Sequence, residues 1–454
     1  MDTAVELKLH ELETSAVPAA AVDYIRRALT SATEFDCYKL NAFRIAKELG
    51  LPRRDIVRTF LFATRLGIFD LNWDVYCPSC MGVPEYHRHL MQLGTRAHCG
   101  LCEINWDVKF EEQVEVTFTV NPDVRVLNYV DMKDRVYPAA VQAIGQSLSR
   151  EARIPVFASR FTPGETRTVT VTLVAGEFDY LVPGYIEGGG TLTVSGEPDS
   201  GTQRVAFAVD EAGGVSPREI HLRPGVVEFT VGYRYPHDWG FHIRSLAPMN
   251  HWVSAAYITA QQDFRDLFSG EFLGPEASFA IRSTTIMFTD IRGSTEMYEA
   301  LGDAAAYKLV QDHFVLMTEI VRANEGGIVK TIGDAVMACF PVNLDAVRAA
   351  FQIQTQFAAH PGALMNVEVK IGLHRGAAIA VTSNRALDFF GRTINIAARV
   401  QGRSKPREVL LTDNVLADPA VRAFIAEKGA TPERFDALLK GVAGTIALSS
   451  VRPL

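Results

Sequence analysis

Thr284-Thr285-Ile286-Met287-Phe288-Thr289-Asp290 runs into Ile291-Arg292-Gly293-Ser294-Thr295, and further along stands Lys330-Thr331-Ile332-Gly333-Asp334. The first segment is an apolar run ended by an aspartate, which predicts a buried strand. The residues after it predict a turn into a helix. The first N–H groups of that helix, around Gly293, Ser294 and Thr295, have no partner within the helix and suit phosphate. Ile328 to Lys330, a turn at Gly333 and Ala335 to Phe340 predict a hairpin with Asp334 at its tip. Asp290 and Asp334 are then two carboxylates suited to a pair of divalent cations, with Lys330 placed to meet a base. That combination fits a nucleoside triphosphate and two metal ions.

Further segments follow in order: Ile371-Gly372-Leu373-His374, Leu387-Asp388-Phe389-Phe390-Gly391, Asn395-Ile396-Ala397-Ala398-Arg399 and Leu439-Lys440-Gly441. From about Ser283 to Val451 the sequence resembles a class III nucleotidyl cyclase catalytic domain. The resemblance implies a ferredoxin-like palm with an antiparallel sheet over residues 281–454. It also implies roles. Asp290 and Asp334 match the two metal-binding aspartates for two Mg²⁺ or Mn²⁺ ions, and the Ile291 carbonyl matches a backbone ligand. Lys330 and Asp388 match the pair that reads the base. Asn395 and Arg399 match the residues that orient the ribose and stabilise the transition state, and Lys440 matches a lysine on the terminal phosphates. Val442-Ala443-Gly444 departs from the family's second lysine there, and Ser294 stands where many relatives have phenylalanine. Family members build each site from two catalytic domains. One copy here carries both halves, which implies a homodimer and an inactive monomer.

Chemistry supports these roles separately. Cyclisation needs the ribose 3′-hydroxyl to attack the α-phosphorus while pyrophosphate leaves, and charge on the phosphoryl oxygens calls for a permanent cation such as Arg399. Adenine offers an acceptor at N1 and a donor at its 6-amino group, and guanine offers the reverse. Lysine only donates and an ionised aspartate only accepts. Lys330 with Asp388 therefore complements ATP and opposes GTP, which argues against a guanylate cyclase. Taken singly, each residue has a plainer reading. An aspartate at a strand end caps a helix or turn. A strand lysine is commonly solvated, and Asn395 with Arg399 could be a surface pair on a helix.

The apolar fraction of 48% and charged fraction of 22% over 454 residues are ordinary for a globular chain of two to four domains. A net charge of −8 gives no general basic footprint, so nucleic acid is not expected as a partner. No run of about 18 apolar residues occurs, so no membrane span is expected. Asp2, Glu6, Glu11 and Glu13 are too acidic for a signal or transit peptide, and a cytoplasmic location is inferred.

Cys77-Pro78-Ser79-Cys80 and Cys99-Gly100-Leu101-Cys102 have the C-x2-C spacing of two zinc knuckles. Cys77, Cys80, Cys99 and Cys102 are expected to hold one structural Zn²⁺, with an unmetallated or redox-active cluster as the alternative. His87, His89 and His98 are competing ligands. Cys37 and Cys339 read as small buried hydrophobes.

The fold class expected for the whole chain is multidomain α+β. A helical winged-helix-like domain takes 1–72, a zinc ribbon 73–110, a strand and helical connector 111–150, and a β-sandwich-like regulatory domain 151–249. A coupling or dimerisation helix and linker takes 250–280. Arg44, Lys47, Arg53, Arg54, Arg58 and Arg65 make the first region locally basic, yet contact with protein is favoured over DNA. Thr168 to Val174, Thr191 to Val194 and Val226 to Val231, separated by Pro-Gly and Gly-rich turns, read as sandwich strands. His237, Trp239 and His242 form an aromatic cluster. Tyr257, Ala260, Phe264 and Leu267 repeat at helical spacing and suit a helix that pairs with its twin. The front half also resembles the uncharacterised domain often found ahead of bacterial class III cyclases, and an unknown ligand or protein is expected to act there. The rival reading is a nucleotide-sensing transcription regulator built on the winged helix and ribbon.

Overall fold

The computed structural model describes residues 3–31, 34–78, 82–100, 104–127, 155–182, 188–245, 252–359, 367–442 and 444–453. The helical part expected of the 111–150 connector, Cys80 and Cys102 lie outside these residues.

Strand Phe279–Ile291 is central to an eight-stranded sheet. It pairs antiparallel with Ala335–Phe340 on one side and Val369–Ser383 on the other. Gly327–Ile332 adds outside Ala335–Phe340, and Ala386–Phe390 folds back on Val369–Ser383 as a hairpin. Val409–Thr412 joins Val369–Ser383 in parallel, followed by Thr445–Val451 and Glu433–Leu438.

Side chains alternate across this sheet. Met287 and Ile291 enter a core with Val310, Met317 and Val321 of helix Asp303–Ala323 and with Ala346, Ala350, Ile353 and Phe357 of helix Asn343–Ala359. Gly326 has no room for a side chain, since a Cβ there would lie 2.3 Å from the Phe340 ring. Ile286 and Phe288 enter a different core on the opposite face. By the same alternation Asp290 shares the face of Ile286 and Phe288.

That second core is continuous from Val5 and Leu9 through Phe60 and Trp73 to Phe264, Phe279, Phe288 and Ala397. Helix Ala42–Leu49 is capped by the Asn41 side chain and stopped at Gly50, and helix Arg53–Arg65 leads into strand Phe69–Val75. The strand crosses the expected border at 72/73. It pairs along its whole length with Val114–Val120, and Glu85–His87 adds on its other side. Several arginines of the basic region make contacts within the chain. Arg53 stacks on Phe43, Arg54 donates to the Ala323 carbonyl, and Arg58 lies 3.9 Å from Asp263.

Residues 155–245 form two sheets around one core. Thr166–Leu173, Gly225–Tyr233, Thr202–Val209 and Val215–Ser216 make one sheet. Pro155–Phe161, Trp239–Ser245, Gly176–Leu181, Gly190–Val194 and Glu219–Leu222 make the other. Phe161, Tyr180, Phe207, Phe229 and Phe241 fill the space between them, which is the sandwich arrangement the strand spacing predicts. His242 is buried while His237 is exposed and packs on Tyr235, so these two histidines occupy different surroundings.

The segment expected to pair with its twin corrects that expectation. It is two short helices, Ala255–Ala260 and Gln262–Leu267, broken at Gln261 in an extended conformation. Ala260 and Phe264 are buried within the chain, and Phe264 meets Trp73 edge-on at 5.9 Å. Its apolar stripe is used up by the chain's own core, which leaves no seam for a coiled coil.

Candidate active site

Asp290 ends the central strand, and Asp334 sits in the turn between Gly327–Ile332 and Ala335–Phe340. Gly333 makes that turn with φ of 63°, a conformation that costs a residue with a Cβ. Asp334 Oδ2 accepts the Ile291 N–H at 3.3 Å, so the two strand ends are tied through the aspartate. Burial pushes the Asp290 carboxyl above its ordinary range, and the neighbouring Asp334 charge adds to that; Lys370 and the Gln401 amide pull the other way. Lys370 Nζ stands 3.9 Å from Asp290 Oδ2. Two part-buried carboxylates that repel each other, all hard oxygen donors, fit a divalent cation such as Mg²⁺ or Mn²⁺.

Helix Ser294–Leu301 begins directly beyond Ile291, with Gly293 at its N-cap at φ of 66°. Among the described residues no side chain caps that end. The N–H groups at Ser294 and Thr295 therefore stay available beside the aspartates.

The base-reading residues are brought together. Lys330 Nζ donates to Asp388 Oδ2 at 2.7 Å, and Asp388 Oδ1 accepts its neighbour Phe389 N–H at 2.7 Å. The lysine also lies 5.3 Å from the centroid of the Phe390 ring. Asp388 is almost buried, with 9% of its side chain exposed, against 37% for Lys330. The carboxylate is thereby fixed and the ammonium stays reachable.

Helix Arg392–Gln401 carries Asn395 and Arg399. It lies directly on strand Val369–Ser383 because Gly372 has no side chain; a Cβ there would stand 2.2 Å from the Gln401 nitrogen. Asn395, Arg399 and Lys440 are exposed. Among the described residues their side chains make no hydrogen bond or ion pair. Nor does any hydrogen bond or ion pair among the described residues join the Asp290–Asp334 pair to the Lys330–Asp388 pair. His374 is buried, which lowers it to about 4, and Nδ1 pairs with Thr412 Oγ1 at 2.9 Å.

Cys77 and Cys99 come together in one buried cluster, with Ile104 and Trp106 packed against it. The competing histidines are otherwise engaged. His89 pairs with Glu271 at 2.7 Å, His98 with Asn105 at 3.2 Å, and His87 lies 3.6 Å from Glu85.

Sequence reasoning missed Lys370, Gln401 and a role for Phe390. Lys370 was within reach, since pairing of the two central strands sets it opposite Asp290. Gln401 carried no signal, because its approach depends on how closely its helix meets the sheet.

A family model described as "Family of unknown function (DUF5939)" matches residues 2–237, and one described as "Adenylate and Guanylate cyclase catalytic domain" matches residues 278–426. An adenylate cyclase of Anabaena cylindrica is 32% identical over 152 residues, 30% of this chain and 30% of that protein. An uncharacterised protein of Mycobacterium tuberculosis is 33% identical over 126 residues, 28% of this chain and 31% of that one. Among solved structures, the adenylyl cyclase CyaB from P. aeruginosa aligns with 39% of this chain and 99% of its own, at 23% identity and a TM-score of 0.31. The chain thus spans about a third of the length of these curated relatives.

Proposed function

Since the chain belongs to the family of unknown function DUF5939 and carries a class III adenylate and guanylate cyclase catalytic domain behind that region, we propose that it is an adenylate cyclase. It converts ATP to 3′,5′-cyclic AMP and pyrophosphate. The observation that carries this reading is the Lys330–Asp388 pair at 2.7 Å. It sets a fixed acceptor beside a reachable donor, which is the complement of adenine's 6-amino group and N1.

Asp290 and Asp334, with the Ile291 carbonyl, would hold two Mg²⁺ or Mn²⁺ ions. When bound, these ions favour ionisation of the 3′-hydroxyl and neutralise the leaving phosphates. The chain's own residues do the rest. The N–H groups at Gly293, Ser294 and Thr295 receive phosphate oxygens. Asn395 holds the ribose, so that O3′ faces the α-phosphorus as the O3′–P bond forms and the bond to pyrophosphate breaks. Arg399 stabilises charge on the phosphoryl oxygens, and Lys440 holds the terminal phosphates. Positioning and preset charge supply the rate, since little covalent chemistry falls to the protein.

A homodimer completes the site in this reading. Ile332, Phe390 and Ile379 flank the two residue pairs and are 54, 49 and 44% exposed, an apolar rim suited to a second copy. Arg399 and Asn395 point to the same need, being exposed and without a hydrogen bond or ion pair among the described residues. Cys77, Cys80, Cys99 and Cys102 would hold one structural Zn²⁺ per chain, and the front half would regulate how the catalytic domains meet in response to a ligand or partner.

The test is product formation by the purified full-length protein from ATP and from GTP, with Mg²⁺ or Mn²⁺, beside Asp334→Ala. Cyclic AMP from ATP, little product from GTP and none from the variant support the proposal. Preferential turnover of GTP overturns it.

A further inference from the structure

Helix Gln262–Leu267 touches both elements that carry the base-reading pair. On the Lys330 side, the Gln262 side-chain oxygen accepts the Ile328 N–H at 2.7 Å, and the Gln262 backbone N–H donates to the Gly326 carbonyl at 3.1 Å. Gly327 between them has no room for a side chain, because a Cβ would lie 2.4 Å from the Ala260 carbonyl oxygen and 3.0 Å from Arg265 Cδ. On the Asp388 side, Arg265 Nη1 donates to the Leu387 carbonyl at 3.1 Å, and its guanidinium lies 5.5 Å from the centroid of the Phe389 ring. Leu387 and Phe389 bracket Asp388. The opposing strand of that hairpin is pinned as well, by Thr382 Oγ1 donating to the Leu273 carbonyl at 2.7 Å.

Arg265 Nε and Nη2 are buried and have no hydrogen-bond partner among the described residues. A guanidinium buried with idle donors is costly, and the chain would save that cost with an apolar residue. Its backbone acceptor is the Leu387 carbonyl, next to Asp388. The other face of the same helix is held by the front half and its neighbours. Phe264 meets Trp73, Asp263 lies 3.9 Å from Arg58, and Arg322 lies 3.2 Å from Asp263.

We propose that Arg265 and Gln262 are positioning residues for nucleotide selection: they set the spacing of Lys330 and Asp388 from behind, and so tie base preference to the seat of this helix on the front half. Neither touches the nucleotide. The proposal rests on Lys330 and Asp388 reading the base, and its test separates the two claims.

The full-length protein, with Arg265→Ala, Arg265→Lys and Gln262→Ala, is titrated with 3′-deoxy-ATP and 3′-deoxy-GTP in Mn²⁺ by calorimetry. These nucleotides cannot cyclise, so the readout is independent of turnover. Lys330→Ala serves as the reference, and thermal melting shows that each variant is folded. Arg265→Ala is expected to reduce the preference for the adenine nucleotide by about tenfold, the size of one net hydrogen bond. Gln262→Ala should move it in the same direction, and Arg265→Lys should recover part of it. Unchanged preference in folded Arg265→Ala and Gln262→Ala, with Lys330→Ala altered, overturns the positioning role. Unchanged preference in Lys330→Ala as well overturns the base-reading assignment beneath it.

Discussion

Lys330 Nζ and Asp388 Oδ2 lie 2.7 Å apart although their backbones belong to different hairpins of the sheet, Gly327–Phe340 and Val369–Phe390. The pair is therefore a product of how the two hairpins curl toward each other. Asp388→Asn keeps the shape but adds a donor that guanine's carbonyl can accept. The ATP preference over GTP in kcat/KM should fall by at least about tenfold, with the change read in both substrates. An unaltered ratio would remove Asp388 from base reading.

Arg399 is exposed and unpaired among the described residues, which suits a charge reserved for the transition state. Arg399→Lys keeps the charge and loses the planar fork. The expected loss is about 100-fold in kcat with little change in KM, the pattern of an interaction made chiefly in the transition state. A loss confined to KM would instead assign Arg399 to ground-state binding.

His313 is fully buried, and both ring nitrogens lack a hydrogen-bond partner among the described residues. Burial lowers its pKa to about 4. An unfolded histidine binds its proton below about 6.5, so this residue weakens the fold as pH falls from there toward 4. Above that window its neutral form imposes no such loss. His313→Leu should raise the melting temperature, and the gain over the parent should be larger at pH 5 than at pH 8. His242 and His374 are also lowered and share part of the window, so the comparison of variant with parent isolates the His313 contribution.

Ile281, Ile286, Phe288, Ala378 and Ala380 share one core with the front-half helices. A fragment of residues 281–454 would expose that face to water. It should melt below the full chain and aggregate, by scattering and calorimetry. A fragment as soluble and stable as the whole would mean that the shared core contributes little.

Much of the C-terminal half was legible because its signals are local. An apolar run ended by Asp290 and a glycine before Asp334 each report on a few neighbouring residues. The sandwich strands were legible for the same reason. The linker was misread because Tyr257, Ala260, Phe264 and Leu267 show an apolar stripe without showing what covers it. Trp73 and the rest of the front-half core supply that cover from far away in the sequence. Arg265 was invisible for a related reason, since its partners at Leu387 and Phe389 are set by the docking of that same helix. The Lys370 position shows the middle case, fixed by strand register once the two central strands are known to pair.

The central claim is that each active site draws Asp290 and Asp334 from one chain and Asn395 and Arg399 from the other. Purified Asp334→Ala and Arg399→Ala proteins, each inactive alone, are mixed under conditions that allow subunits to exchange, and cyclic AMP formation from ATP is measured. Half of the dimers should then be mixed, each with one intact site, giving about a quarter of the parental activity. A mixture as silent as its two components, with subunit exchange demonstrated and the parent active, would contradict the shared site.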